Sequence, residues 1–109
     1  MKRIQYNKLI RDNIPENIEK YGVTCITHIA DSSEYKEKLY AKLLEEVNEF
    51  LEDDNSEELA DVLEVIHAIS DLKKIRFEEI EKTRLEKKEK KGGFKDKIIL
   101  TETIEVSYS

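Results

Sequence analysis

The 109-residue sequence predicts a mainly α-helical protein, an antiparallel helical hairpin or bundle with a small β attachment. Three observations lead there. Tyr35, Leu39, Leu43, Val47, Phe50 and Leu51 recur at helical spacing. The run LADVLEVIHAISDL, Leu59 to Leu72, is apolar on nearly every face, as a buried helix would be. Only Asp53-Asp54-Asn55 interrupts the two, and so short a connector makes them antiparallel neighbours.

The remaining elements follow in order. Residues 13–21 read as a short helix, with Asp12 or Asn13 to cap it, Pro15 in its first turn and Gly22 as a stop. VTCITHIA (23–30) alternates and is β-branched, which predicts a short strand. Asp31-Ser32-Ser33 caps the long helix that ends near residue 53. The second long helix starts near Ser56 and runs to about Lys74, with helical periodicity continuing toward residue 90. Gly92-Gly93 ends that run. KIILTETIEVS (97–107) then reads as one strand, or two joined near Thr101-Glu102, pairing antiparallel with 23–30.

Composition limits the possibilities. The whole chain reads as one domain, 1–109, with 39% hydrophobic and 40% charged residues, so the core is small and a partner subunit would enlarge it. The lone Cys25 excludes an intramolecular disulfide and suits a reducing compartment; its apolar surroundings favour a structural thiol over a nucleophile. The opening residues lack a signal-type apolar core and no run reaches membrane-spanning length, so a cytoplasmic protein without membrane association is expected.

The net charge of −6 hides a segregation. Residues 1–11 carry Lys2, Arg3, Lys8 and Arg11 and no acid, whereas residues 31–64 carry thirteen acids against Lys36, Lys38 and Lys42. Residues 82–97 turn basic again. Such a pattern suits a solvated charged surface, or an acidic metal site flanked by cations for a polyphosphate. It argues against a nucleic-acid polymer as partner, because the acidic centre repels phosphates when no metal is bound.

Within the acidic stretch, Glu46 and Glu49 stand at i, i+3, as do Glu58 and Asp61. Each pair shares a helix face. On an antiparallel hairpin both lie within about two turns of the connector, so they face one another across one groove. Converging carboxylates repel, and hard oxygen ligands suit Mg²⁺, or Mn²⁺, better than zinc. Each acid also has an ordinary explanation. Glu45, Glu46 and Glu49 fit a solvated face supported by Lys42–Glu46, and Glu58 fits a helix first turn. Asp61, between Ala60 and Val62, requires either a metal or a Lys/Arg from the basic ends. Glu64 could extend the row, and His67 is read as a core or edge histidine.

The two segments Glu45-Glu46-Val47-Asn48-Glu49 and Glu58-Leu59-Ala60-Asp61 resemble the EE-x-x-E and E-x-x-D metal motif of the all-α nucleoside triphosphate pyrophosphohydrolase superfamily. That group includes MazG-like proteins, dimeric dUTPases and the phosphoribosyl-ATP pyrophosphohydrolase of histidine synthesis. The opening Tyr6-Asn7-Lys8-Leu9-Ile10-Arg11-Asp12-Asn13-Ile14-Pro15 and the late Lys91-Gly92-Gly93-Phe94 are similar to a phosphoribosyl-ATP pyrophosphohydrolase-like subgroup, so the resemblance spans nearly the whole chain. The chain departs from MazG-like members in placing only residues 50–57 between Glu49 and Glu58, which narrows the space for a substrate base.

The resemblance implies the all-α pyrophosphatase fold and Mg²⁺-dependent cleavage of an α–β phosphoanhydride, giving a nucleoside monophosphate and pyrophosphate. Glu46, Glu49, Glu58 and Asp61 would hold the metal, and Glu45, with Glu46, would serve the catalytic step as ligand or water-activating base. Lys8, Arg11 and Lys91 would contact phosphates, with Gly92 and Gly93 offering backbone N–H groups. A homodimer or tetramer is implied as well. The competing expectation is a non-catalytic helical module for oligomerisation or for sensing a nucleotide or metal.

Overall fold

The computed structural model describes residues 1–107 and divides the chain into two compact units, residues 1–76 and residues from 77 onward. The first unit holds α1 (Ile14–Glu19), α2 (Ser32–Asp53) and α3 (Ser56–Leu72); the second holds α4 (Phe77–Lys91).

Local chemistry sets the boundaries of the hairpin. Asp31 is extended, and its side chain accepts a hydrogen bond from the Glu34 N–H at 2.8 Å, capping α2. At the other end Asp54 takes the left-handed conformation, φ +52°, and its N–H closes on the Phe50 carbonyl at 2.7 Å. The very next residue, Asn55, is extended and accepts from the Glu58 N–H at 3.1 Å. Stop and start signals therefore stand side by side, and the chain reverses within two residues. α2 and α3 pack against each other along this hairpin.

α3 ends sooner than the periodicity suggests. Lys74 is left-handed at φ +58°, and the Ile75 N–H reaches back to the Ser70 carbonyl at 3.0 Å, a Schellman-type closure. Ser70 is buried and its hydroxyl donates to the Ile75 carbonyl, so the buried polar group is satisfied. A new helix, α4, starts at Phe77. The helical period in 75–90 is real, but it belongs to a separate element.

Leu39 and Val65 are the buried apolar residues among those described. The expectation that α3 is buried on most faces is met on one face alone, since Leu59 and Leu63 remain about half exposed. Within the first unit, α2 is the helix that packs on α3 among the described residues. The expected β attachment is absent among the described residues: neither 23–30 nor 97–107 forms a strand. β-branched composition favours a pleated ladder only when a second strand supplies the other half of the hydrogen bonds. Ile26, Ile29, Ile98 and Ile104 stay exposed instead. Cys25 is half-buried, with its thiol 3.9 Å from the Pro15 carbonyl, as suits a structural thiol. No helix among the described residues is long and apolar enough to cross a membrane.

Candidate metal centre

The two-residue connector places the last turns of α2 opposite the first turns of α3. Glu46 projects from the former, Glu58 and Asp61 from the latter. One carboxylate oxygen from each of these three lies within 4.8 Å of the others. Oxygens bound to one Mg²⁺ at about 2.0–2.1 Å stand roughly 3 to 4 Å apart, so small side-chain rotations would close this set on a single ion.

Burial makes the arrangement costly as it stands. Glu46 is only 7% exposed. Its Oε1 pairs with Lys42 Nζ at 3.2 Å, one helical turn back, whereas its Oε2 is buried and accepts no hydrogen bond. Glu58 Oε2 is buried and unpartnered too. A desolvated carboxylate oxygen without a donor destabilises the fold unless a cation approaches it. The titration behaviour has the same origin. Loss of solvent, then the charges of Glu49, Asp53, Asp61 and Glu46, push the Glu58 carboxyl above its usual pKa. Glu49 is pushed up as well, first by the charge of Glu46 and then by desolvation. These residues fit a hard divalent cation: all donors are oxygen, two of the oxygens lack any partner, and their mutual repulsion needs positive charge.

Cations from the amino-terminal segment occupy the rim. Arg11 Nη2 lies 2.7 Å from Asp61 Oδ1, and Lys8 Nζ lies 3.1 Å from Glu45 Oε1. Lys42 also reaches Glu45 Oε2 at 3.5 Å. Desolvation works to raise the Glu45 pKa, but the hydrogen bond from Lys8 and the charges of Lys42 and Lys8 outweigh it and hold the carboxyl below its usual range. Lys8 is raised in return, chiefly by its hydrogen bond to Glu45 and against its own partial burial.

The structure thus gathers most of the expected residues and sorts them. Glu46, Glu58 and Asp61 converge. Glu49 lies outside the 4.8 Å set and joins through its interaction with Glu46. Glu45 turns to the lysines, and exposed Glu64 is not in the converging set. Asp61 is 38% exposed at its side chain, and Arg11 supplies the basic partner that its position called for. Lys91, Gly92 and Gly93 belong to the second unit, at the end of α4. There Gly92 is left-handed at φ +86° and its N–H closes on the Lys88 carbonyl at 2.8 Å, so that donor terminates the helix.

One contributor left no readable signal in the sequence. Lys38 Nζ donates to the Asn7 carbonyl at 2.9 Å, and Asn7 is left-handed at φ +48°. That contact joins α2 to the segment carrying Lys8 and Arg11. An asparagine tolerant of positive φ was visible, but its carbonyl partner is 31 residues away. Comparison of the chain with protein-family models, curated proteins and solved structures yields no match.

Proposed function

We propose that this chain is a Mg²⁺-dependent nucleotide pyrophosphohydrolase, cleaving the α–β phosphoanhydride of a nucleoside triphosphate or a phosphoribosyl-ATP-like substrate. The observation that carries the reading is the pair of buried, unpartnered carboxylate oxygens of Glu46 and Glu58 beside Asp61. Structural ion pairs bring their own cations to each oxygen; this cluster leaves two oxygens without one. The motif resemblance supplies the reaction class.

Each residue then has a role. Glu46, Glu58 and Asp61, with Glu49 beside them, would hold the ion. The ion supplies charge against the polyphosphate and Lewis acidity toward an attacking water. Glu45 accepts the proton of that water as its oxygen bonds to the α-phosphorus and the bridging P–O bond breaks, releasing pyrophosphate. Lys8 and Arg11 turn from carboxylate to phosphate. House-cleaning of noncanonical nucleotides is the cellular role we attach to this activity.

The functional protein is a homodimer or tetramer in this reading. Leu44 and Leu51 on α2 and Leu59 and Leu63 on α3 are at least 47% exposed, and a second hairpin would cover them. Sedimentation at micromolar concentration is expected to give a dimer or larger; a clean monomer removes this part.

The test is pyrophosphate release from a panel of canonical and modified nucleoside triphosphates and phosphoribosyl-ATP, with Mg²⁺ and with EDTA. Metal-dependent turnover that falls at least about a hundredfold in Asp61→Ala is expected, as for loss of transition-state electrostatics. Silence across the panel, with no Mg²⁺ effect on thermal stability, leaves a non-catalytic helical module. The Arg11–Asp61 pair favours that second reading, since it neutralises one acid without any metal.

A further inference from the structure

We propose that residues 1–12 form a cationic strap in which Arg11 stands in for the divalent cation on Asp61 while Lys8 ties the segment to Glu45, and that loading of the carboxylate cluster releases the strap and hands both side chains to the polyphosphate. This regulation rests on the metal reading proposed above. Three polar contacts hold the segment: Arg11 to Asp61 at 2.7 Å, Lys8 to Glu45 at 3.1 Å and Lys38 to the Asn7 carbonyl at 2.9 Å. Residues 1–8 are exposed and form neither helix nor strand, and only Leu9 and Ile10 sink partway into the surface. Attachment is therefore mainly electrostatic, and exposed ion pairs of this type are individually weak and readily exchanged.

Charge explains the direction of the exchange. A guanidinium and a divalent cation on one carboxylate are like charges a few ångströms apart, so each weakens the other. Glu45 tolerates the loss of Lys8 because Lys42 remains against its second oxygen and against Glu46. Once released, Lys8 and Arg11 carry two positive charges at the rim of the cluster, where the anionic substrate arrives. Metal and polyphosphate are coupled by this exchange, and the coupling is reciprocal: each strengthens the binding of the other.

Hydrogen exchange of peptides covering residues 1–12, with and without Mg²⁺, tests the release directly on the intact protein. Calorimetric Mg²⁺ titration of the wild type and of the Lys8→Gln/Arg11→Gln double variant accompanies it. Faster exchange of the strap on Mg²⁺ addition is expected, together with severalfold tighter Mg²⁺ binding by the variant. Lys2→Gln/Arg3→Gln removes the same charge outside the two ion pairs and is the control; equal tightening there would reduce the effect to a general field and overturn the strap. Mg²⁺ binding with strap exchange unchanged or slowed would also overturn it while leaving the metal site standing. Mg²⁺ binding to neither protein would remove the metal reading, and the strap with it.

Discussion

Glu58 in α3 and Glu81 in α4 are the same residue type in the first or second turn of a helix, yet they titrate in opposite directions. Glu81 is gripped by Arg84 one turn on, through the guanidinium Nε at 3.0 Å and through Nη2, and its carboxyl falls below the usual range. Glu58 has one buried oxygen without a donor and four acidic neighbours, and its carboxyl rises. α4 holds no buried residue and leaves its charges in solvent, whereas the hairpin buries Glu46 and Ser70 beside Leu39 and Val65. The difference teaches where to look for chemistry: a satisfied charge on a solvated helix explains itself, and a desolvated, unsatisfied one calls for a partner.

The contrast is broken most strongly at the core. Leu39 on α2 is 2% exposed, and Leu39→Ala should cost about 2–5 kcal/mol, read as a shift of the denaturation midpoint. Leu85 in α4 is half exposed, and Leu85→Ala should stay within about 0.5 kcal/mol. Comparable losses would mean that α4 is buried in the functional assembly.

A smaller effect of opposite sign is expected at the acids. Glu58→Gln removes repulsion, so the metal-free protein should melt a few degrees higher while losing its stabilisation by Mg²⁺. The pH dependence follows from the raised carboxyl. The folded state binds the Glu58 proton more tightly than the unfolded chain, so this group's contribution weakens as pH rises from its unfolded value through its raised folded one. Thermal melts without metal between about pH 4 and pH 7 should show that component in the wild type and not in the variant. A variant that melts lower would mean that Glu58 holds the fold as an ion-pair partner.

The smallest effect should come from Arg84→Ala, whose exposed pair with Glu81 screens readily in salt and should leave the melting temperature unchanged within error. A measurable loss there would give α4 an electrostatic role that its exposure does not suggest.

The hairpin was legible in the residues because its signals are local. Asp31 as a cap, Asp53-Asp54-Asn55 as the break and the spacing of Tyr35, Leu39, Leu43 and Val47 each act within a turn or two. Two i, i+3 pairs on either side of a tight connector were enough to bring Glu46, Glu58 and Asp61 together, because helix geometry fixes both faces once the loop is short. The break at Lys74 was less visible, since a left-handed lysine carries no glycine to announce it. The strands were misread for a related reason: β-branching states a preference, and pairing requires a partner that composition does not specify.

The sequence by itself determined the two helices of the hairpin, the cap at Asp31 and the faces that carry the acids, since these depend on bonds and side chains a few residues apart. Only the tertiary structure decided which acid is satisfied. It sends Arg11 across fifty positions to Asp61 and Lys8 across thirty-seven to Glu45, and leaves oxygens of Glu46 and Glu58 buried and unpartnered. Pairing between distant charges depends on where an irregular segment crosses the surface, and that path is set by the packed hairpin beneath it rather than by any local pattern.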